Sequence, residues 1–399
     1  MRLDRLPGRP HLTYCTNIHA GETWPEIGAS LDAHVPRIKE RVSPGAPLGI
    51  GLRLSAAAAA TLVDPREIDG FRDQLERLGG YVFTINAFPY GPFHGTRVKE
   101  RVYEPDWRTE ERSAFTEATS GILAALLPEG GYGSISTVPG GFRTLRGDPA
   151  AVEAVAERLL SSVAGFVDLE RRTGQTVALA LEPEPWCLIE TADEAVEFFE
   201  RFLLGRETLE RFALRARLPG PRAEAAVRRH LGICYDVCHG AVQFEEPVRA
   251  LRTLRAAGIG VPKVQLSAAL RVPDGGAGGR RDLERLDTGT YLHQVVAKGR
   301  RTERFRDLPE AFAALDAGGA EGGVARPLPR ARIPRRPRRP RLDAGRSPLD
   351  AAGPAGRIPL APPGSRDLHL GRASAAPDDG VQGRRHRSGT PIRAGRVER

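Results

Sequence analysis

Short runs of apolar, often β-branched residues alternate along residues 1–320 with longer stretches in which apolar residues recur every three or four positions. The runs are LTYCTNIH (12–19), LGIGLRL (48–54), YVFTINAF (81–88), GSISTVP (133–139), VALALEPEP (177–185), LGICYDV (231–237) and KVQLSAAL (263–270). Their length and composition predict strands. The segments between them, such as TWPEIGASLDAHVPRIKERV, PREIDGFRDQLERLGG, EERSAFTEATSGILAALL and DPAAVEAVAERLLSSVAGFVDLERRTG, have helical spacing. Several open on Asp, Thr or Pro and close on Gly, as helix caps and first turns prefer. The pattern predicts seven consecutive βα units.

Near-continuous apolar strands joined by crossover helices imply a parallel sheet covered on both faces. An open sheet that binds a nucleotide needs a glycine-rich turn after its first strand, whereas this strand runs into Asn17, His19 and Glu22. Polar residues also gather at the carboxyl ends of many different strands: Asn17 and His19, Arg53, Asn86, Glu182 and Glu184, Asp236 and His239, and Gln265. In a barrel those ends share one mouth, where barrel enzymes hold their chemistry. The expected fold is therefore α/β, a TIM (β/α)8-like barrel.

Composition sharpens the domain limits. A chain of 399 residues, 40% hydrophobic, can bury a large core. No stretch approaches the ~18 apolar residues of a membrane span, and MRLDRLPGRPHLTY lacks the apolar centre of a signal peptide. The four scattered cysteines, Cys15, Cys187, Cys234 and Cys238, form no disulfide framework, so a cytoplasmic protein with free thiols is expected. The net charge of +9 comes from residues 321–399, with 18 arginines against 7 acidic residues, leaving 41 basic and 43 acidic residues before them. That tail holds 12 Pro and 11 Gly and no Phe, Trp or Tyr, a composition that cannot offset chain entropy by burial. The expected division is a barrel over residues 1–317, incomplete at its closing strands, and a disordered Arg/Pro/Gly-rich tail over 318–399.

Glu182, Asp236, His239 and Gln265 stand at or just past the ends of strands expected to be neighbours. Two carboxylates, an imidazole and an amide oxygen form a mostly oxygen-donor set suited to Mn²⁺, Mg²⁺ or Zn²⁺. The plainer alternative has Glu182 and Asp236 in ion pairs and His239 capping a helix. Glu184, two residues beyond Glu182, is a candidate base, with His239 the second candidate catalytic group. Its flanking Pro183 and Pro185 favour a rigid loop that turns Glu184 to water. Asn17, His19 and Asn86 are candidate substrate-binding residues, although His19, like the other lone histidines His94 and His293, is more simply a surface or core residue. Zinc through Cys234 and Cys238 is not favoured, because the spacing lacks the second cysteine pair of a structural site. The pairs Gly130–Gly131 and Gly140–Gly141 are more simply turns than a phosphate cradle.

HLTYCTNIHAGETW, ALEPEPWCLIET, GICYDVCHGAVQFE and TGTYLHQV together resemble EboE, the "metabolite traffic protein" family, a branch of the xylose isomerase-like TIM barrels. The resemblance covers roughly residues 10–315. It implies a divalent-metal barrel similar to sugar isomerases, epimerases and related endonucleases, with metal ligands in the pattern Glu, Asp with His three residues on, a further His or equivalent, and a final Glu. Glu182, Asp236 and His239 match that pattern; Gln265 stands where histidine is usual, which bears on the metal's identity and affinity. The resemblance supplies no reaction. It implies as partners a small metabolite, aromatic or indolic for the family's export cluster, and other products of that cluster.

Such a family continues past residue 315 with a helix and closing strands, where this chain becomes Arg/Pro-rich. Shifted forward by one base, GVARPLPRARIP (323–334) can be read as EWRVHFHVPEFL, and PPGSRDLHLGRASAAPDDGVQ (362–382) as HLEVETYTWDVLPPHLMTESK, both strand-like and similar to the family's ending. Two such stretches point to a frameshift near residues 318–323. The lost strands would have supplied two histidines and a closing glutamate, leaving half a site. They also raise the strand count to nine, one more than a barrel holds.

Three functions compete: a metal-dependent barrel acting on a small polyol-like or phosphorylated metabolite, a non-catalytic protein that hands a metabolite to a membrane partner, and nucleic-acid binding through the basic tail. The last ranks lowest, because the tail has no aromatics for base stacking.

Overall fold

The computed structural model describes residues 1–92, 99–272, 277–285, 292–299, 301–317, 323–327 and 368–371. All seven apolar runs contain strands: β1 (His11–Cys15), β2 (Leu48–Arg53), β3 (Gly80–Asn86), β4 (Tyr132–Thr137), β5 (Thr176–Leu181), β6 (Leu231–Asp236) and β7 (Gly260–Leu266). Each lies parallel to the next from β1 to β7. Every residue of β2, β5 and β6 is buried, which is why these strands read as unbroken apolar runs. The fold is an α/β TIM-like barrel.

The helices outside the ring follow from local chemistry. The longest, Pro149–Thr173, starts where the Asp148 carboxylate accepts the N–H groups of Ala150 and Ala151 and ends at Gly174 with φ of +75°. Its stripe of Val152, Val155, Leu159, Val163 and Phe166 is buried. Truncating such a buried leucine costs roughly 2–5 kcal/mol.

The run at 263–270 is not one strand. It breaks after Leu266, and β8 (Ala269–Val272) leaves the barrel to join β9 (Val295–Lys298), β10 (Thr302–Phe305) and β11 (Gly323–Pro327) in a four-stranded sheet of order β10-β9-β11-β8. Leu283, Val295, Ala297, Leu308 and Ala311 form a small core of their own beneath it. A second tail segment, β12 (Leu368–Gly371), pairs antiparallel with both β7 and β1 and closes the ring. The parallel set thus stops at seven, and the eighth position is taken by an antiparallel four-residue strand. The composition of the tail predicts no strand, yet each of these segments finds an unpaired sheet edge, where backbone pairing needs little from side chains. None of the seven expected strands lies outside the barrel; the surplus strand is β11. The remainder of the tail, residues 288–291 of the TGTYLHQV motif and His94 lie outside the described residues.

Candidate functional site at the barrel mouth

Glu182 follows β5 directly, its N–H still donating to the Thr137 carbonyl at 3.0 Å. Asp236 ends β6 and caps the short helix Val237–Val242, its Oδ1 accepting the N–H groups of Cys238 (2.8 Å) and His239 (3.4 Å). Gln265 lies opposite Asp236 in the β6–β7 pairing. Its Nε2 donates to Glu182 Oε1 and to Asp236 Oδ2, both at 2.6 Å. Ser267 Oγ, just past β7, donates to Asp236 Oδ1 at 2.5 Å. His239 Nδ1 donates to the Pro183 carbonyl at 3.2 Å and sits 3.9 Å from Glu182 Oε1. The four residues expected to hold a metal are thus neighbours, and Asp236 also takes the helix-capping part that the plainer alternative gave to His239.

The charges are strongly coupled. Burial, with a contribution from Asp236, raises the Glu182 carboxyl to about 7, against the opposing pull of His239 and Lys263. Burial also acts to raise Asp236, but the His239 imidazolium and the hydrogen bonds from Ser267 and Cys238 outweigh it and hold the carboxyl below its usual value. His239 is the mirror case: burial would lower it, but Asp236 and Cys238 raise it well above the ordinary histidine value. Asp236 and His239 therefore favour each other's charged forms, and the Glu182 carboxyl is shifted toward neutrality.

Two acceptor atoms here, Glu182 Oε2 and Gln265 Oε1, are buried and receive no hydrogen bond. Leaving such oxygens without a positive partner costs free energy, so the donor set fits a small cation. Among the described residues, Asp236, Cys238 and His239 offer ligand atoms within 4.8 Å of one another.

Glu184 is half-buried rather than turned wholly to water. Its Oε1 accepts from Tyr103 Oη at 2.7 Å and from Gln294 Nε2 at 3.0 Å. Prolines on both sides fix the loop, but toward these two partners rather than outward. Asn86, at the end of β3, accepts the Phe88 N–H on its Oδ1 at 3.1 Å. His19 hydrogen-bonds through Nε2 to Tyr14 Oη and stacks on His34 with ring centroids 3.8 Å apart. Asn17 lies on the one-turn helix Thr16–Ile18 after β1. His293 is fully buried beside Asp307.

Two further side chains belong here, Lys263 and Ser267, together with Cys238, which its spacing from Cys234 did not favour. Lys263, 1% exposed, points into the barrel and donates to Ser136 Oγ at 3.0 Å; its separation of two residues from Gln265 on one strand is the signal that places both on one face. Ser267 and Cys238 carry no comparable periodicity.

No family model and no curated protein matches the chain. Among solved structures it is similar to a D-tagatose 3-epimerase-like protein (15% identity, 54% of this chain and 66% of that one, TM-score 0.33). It is similar also to an IolI protein with a zinc atom (12% identity, 53% and 60%, TM-score 0.32) and to AP endonuclease, family 2, from Brucella melitensis (13% identity, 78% and 88%, TM-score 0.34). The chain spans less than two thirds of the length of the first two. Likeness at this level assigns no activity to it.

Proposed function

We propose that this chain is an EboE-like barrel that handles a small polar metabolite with the help of one divalent cation held by Glu182, Asp236, His239 and Gln265. The observation that carries the reading is the convergence of these four side chains at one end of the barrel with two buried oxygens left without donors. When bound, such a cation would supply Lewis-acid stabilisation for an enediolate or a polarised hydroxyl of a sugar-like or aromatic precursor. The chain's own groups would do the rest. Glu182, whose carboxyl is raised to about 7 with no cation present, would give up that proton on binding one. The Pro183 carbonyl, accepting from Nδ1 at 3.2 Å, orients the His239 ring, which must be neutral to hold the cation. Glu184, held by Tyr103 and Gln294, is a second carboxylate at the rim, and Asn17, His19 and Asn86 would contact the substrate. The activity class is isomerase- or epimerase-like, with phosphodiester cleavage the second candidate.

One observation favours a non-catalytic carrier instead: the Gln265 amide already satisfies one oxygen of each carboxylate. Metal analysis of the purified chain, paired with turnover assays on ketoses, aldoses and their phosphates with Mn²⁺, Mg²⁺ or Zn²⁺, decides between them. Stoichiometric metal with turnover supports the enzyme, and metal or ligand binding without turnover supports the carrier. Absence of metal from both the wild type and Asp236→Ala removes the cation reading.

Residues 318–399 we read as the product of a shifted frame rather than a domain, with the barrel occupying 1–317. In support, β11 and β12 fall inside the two stretches whose alternative reading is strand-like. Resequencing the gene at the codons for 315–325 and measuring the intact mass of the expressed protein test this. The expected location is the cytoplasm: among the described residues no helix is long and apolar enough to cross a membrane, and the four cysteines are free and buried.

A further inference from the structure

Cys238 lies between the two site residues of the short helix, and the capping of that helix decides where its thiol goes. Because Asp236 Oδ1 accepts the N–H groups of both Cys238 and His239, and Ser267 Oγ accepts the Cys238 N–H at 2.8 Å, the first turn is clamped from two sides. The thiol is thereby held close to the side chains of Asp236 and His239, and Cys238 is 6% exposed. Asp236, Cys238 and His239 bring one oxygen, one sulfur and one nitrogen within 4.8 Å of one another. The residues that carry the two orphaned oxygens, Glu182 and Gln265, adjoin this group: Gln265 Nε2 lies 2.6 Å from Asp236 Oδ2, and Glu182 Oε1 lies 3.9 Å from His239 Nδ1. They are an independent sign that a positive partner belongs here.

We propose that Cys238 is a metal ligand, and that the site is a mixed oxygen, nitrogen and sulfur site selecting Zn²⁺ or Co²⁺ over Mg²⁺ and Mn²⁺. The proposal rests on the cation reading above and adds the ligand that sets the metal. Carboxylate, imidazole and thiolate are the ligand types that Zn²⁺ takes, and a thiolate ligand disfavours the hard cations that an all-oxygen set would take. On binding, the thiol proton leaves to solvent as the sulfur–metal bond forms. Cys234, inside β6, is not part of the cluster among the described residues, so the ligand set owes nothing to a cysteine pair.

The test uses the full chain and Co²⁺ alone. Co²⁺ should bind stoichiometrically with a near-ultraviolet sulfur-to-cobalt charge-transfer band, and Zn²⁺, but not excess Mg²⁺, should displace it. Cys238→Ser should lose the band and weaken Zn²⁺ binding by at least the roughly 10- to 100-fold that outer-shell changes already cost, while Cys15→Ser keeps the band. Should Cys238→Ser fail to fold, X-ray absorption at the zinc edge of the unmodified chain should find a sulfur neighbour at about 2.3 Å. Bound Co²⁺ with no charge-transfer band, a zinc shell without sulfur, or displacement by Mg²⁺ overturns the assignment of Cys238 and leaves the oxygen site standing. Failure of Co²⁺, Zn²⁺, Mn²⁺ and Mg²⁺ to bind at all overturns both readings.

Discussion

The side-chain amide of Gln265 reaches from β7 past β6 to donate to Glu182 Oε1 at 2.6 Å, tying the ends of two strands that do not pair with each other. The same nitrogen holds Asp236 Oδ2, so one neutral donor serves an oxygen of each of two buried carboxylates. Gln265→Leu keeps the bulk and removes the donor. An unsatisfied buried charged group costs more than the roughly 1–3 kcal/mol of a neutral one, so we expect a loss of about 3 kcal/mol at pH 8. The loss should be smaller at pH 5, where Glu182 is neutral. Urea unfolding of metal-free protein at the two pH values checks this; an unchanged midpoint at pH 8 would show that the bridge contributes nothing.

The register that sets Gln265 beside Asp236 depends on a glycine. The β6–β7 pairing shifts between Gly232 and Cys234, with Gly232 opposite Gly260 and Cys234 opposite Lys263. A Cβ at Gly232 would stand 2.4 Å from the Gly260 carbonyl oxygen and 2.7 Å from Pro262 Cδ. Backbone cannot rotate out of the way, so Gly232→Ala should cost roughly 2–3 kcal/mol, near the top of the usual overpacking range. Gly165→Ala, in open space on the helix Pro149–Thr173, should instead gain about 0.5–1 kcal/mol. Equal thermal midpoints for the two variants would contradict both assignments.

The seven strands were legible because buried parallel strands write themselves as apolar runs, and the site residues because each such run ends in a polar side chain at the mouth. The sheet formed by β8 to β11 left no such trace. Its strands are four or five residues long, no residue of β8 or β10 is fully buried, and glycine-rich sequence separates them, so neither length nor period marks them out. The partnership of Glu184 with Tyr103 and Gln294 spans 81 and 110 residues, and no local pattern encodes a contact at that distance. Cys238 was discounted on its spacing from Cys234, whereas its place is set by the Asp236 cap two residues earlier.

Glu245 gives a test of pH dependence away from the metal candidates. Burial, helped by Asp193 and Glu194, raises its carboxyl to about 7, even though its Oε1 accepts the Ala192 N–H at 2.8 Å. Between the unfolded value near 4.5 and about 7, the folded chain holds a proton that the unfolded chain has lost, so stability falls as pH rises through that window. Glu245→Gln keeps the acceptor and cannot ionise. Relative to wild type it should gain up to about 3 kcal/mol between pH 4.5 and 7.5, at about 1.4 kcal/mol per pKa unit. Parallel pH–stability curves for the two proteins would refute it.

Lys263 and Glu182 set the last prediction, because a buried ammonium and a buried carboxyl in one barrel interior must affect each other with opposite signs on the two sides of neutrality. Lys263 is 1% exposed, donates to Ser136 and pulls the Glu182 carboxyl down against burial. Lys263→Met has similar length and no charge. Without the ammonium, Glu182 should titrate higher than about 7, and the carbonyl band of its protonated carboxyl in difference infrared spectra should persist to higher pH. Stability should cross over. Below about pH 5.5 Glu182 is neutral in both proteins, and the variant is relieved of a buried charge whose nearest counter-charge has gone, so it should be the more stable. Above about pH 8 the variant must bury the Glu182 carboxylate without its ammonium partner, or keep it protonated against solvent, and should be the less stable by a few kcal/mol. Destabilisation of equal size at both pH values would mean that Lys263 acts through packing and its bond to Ser136 alone.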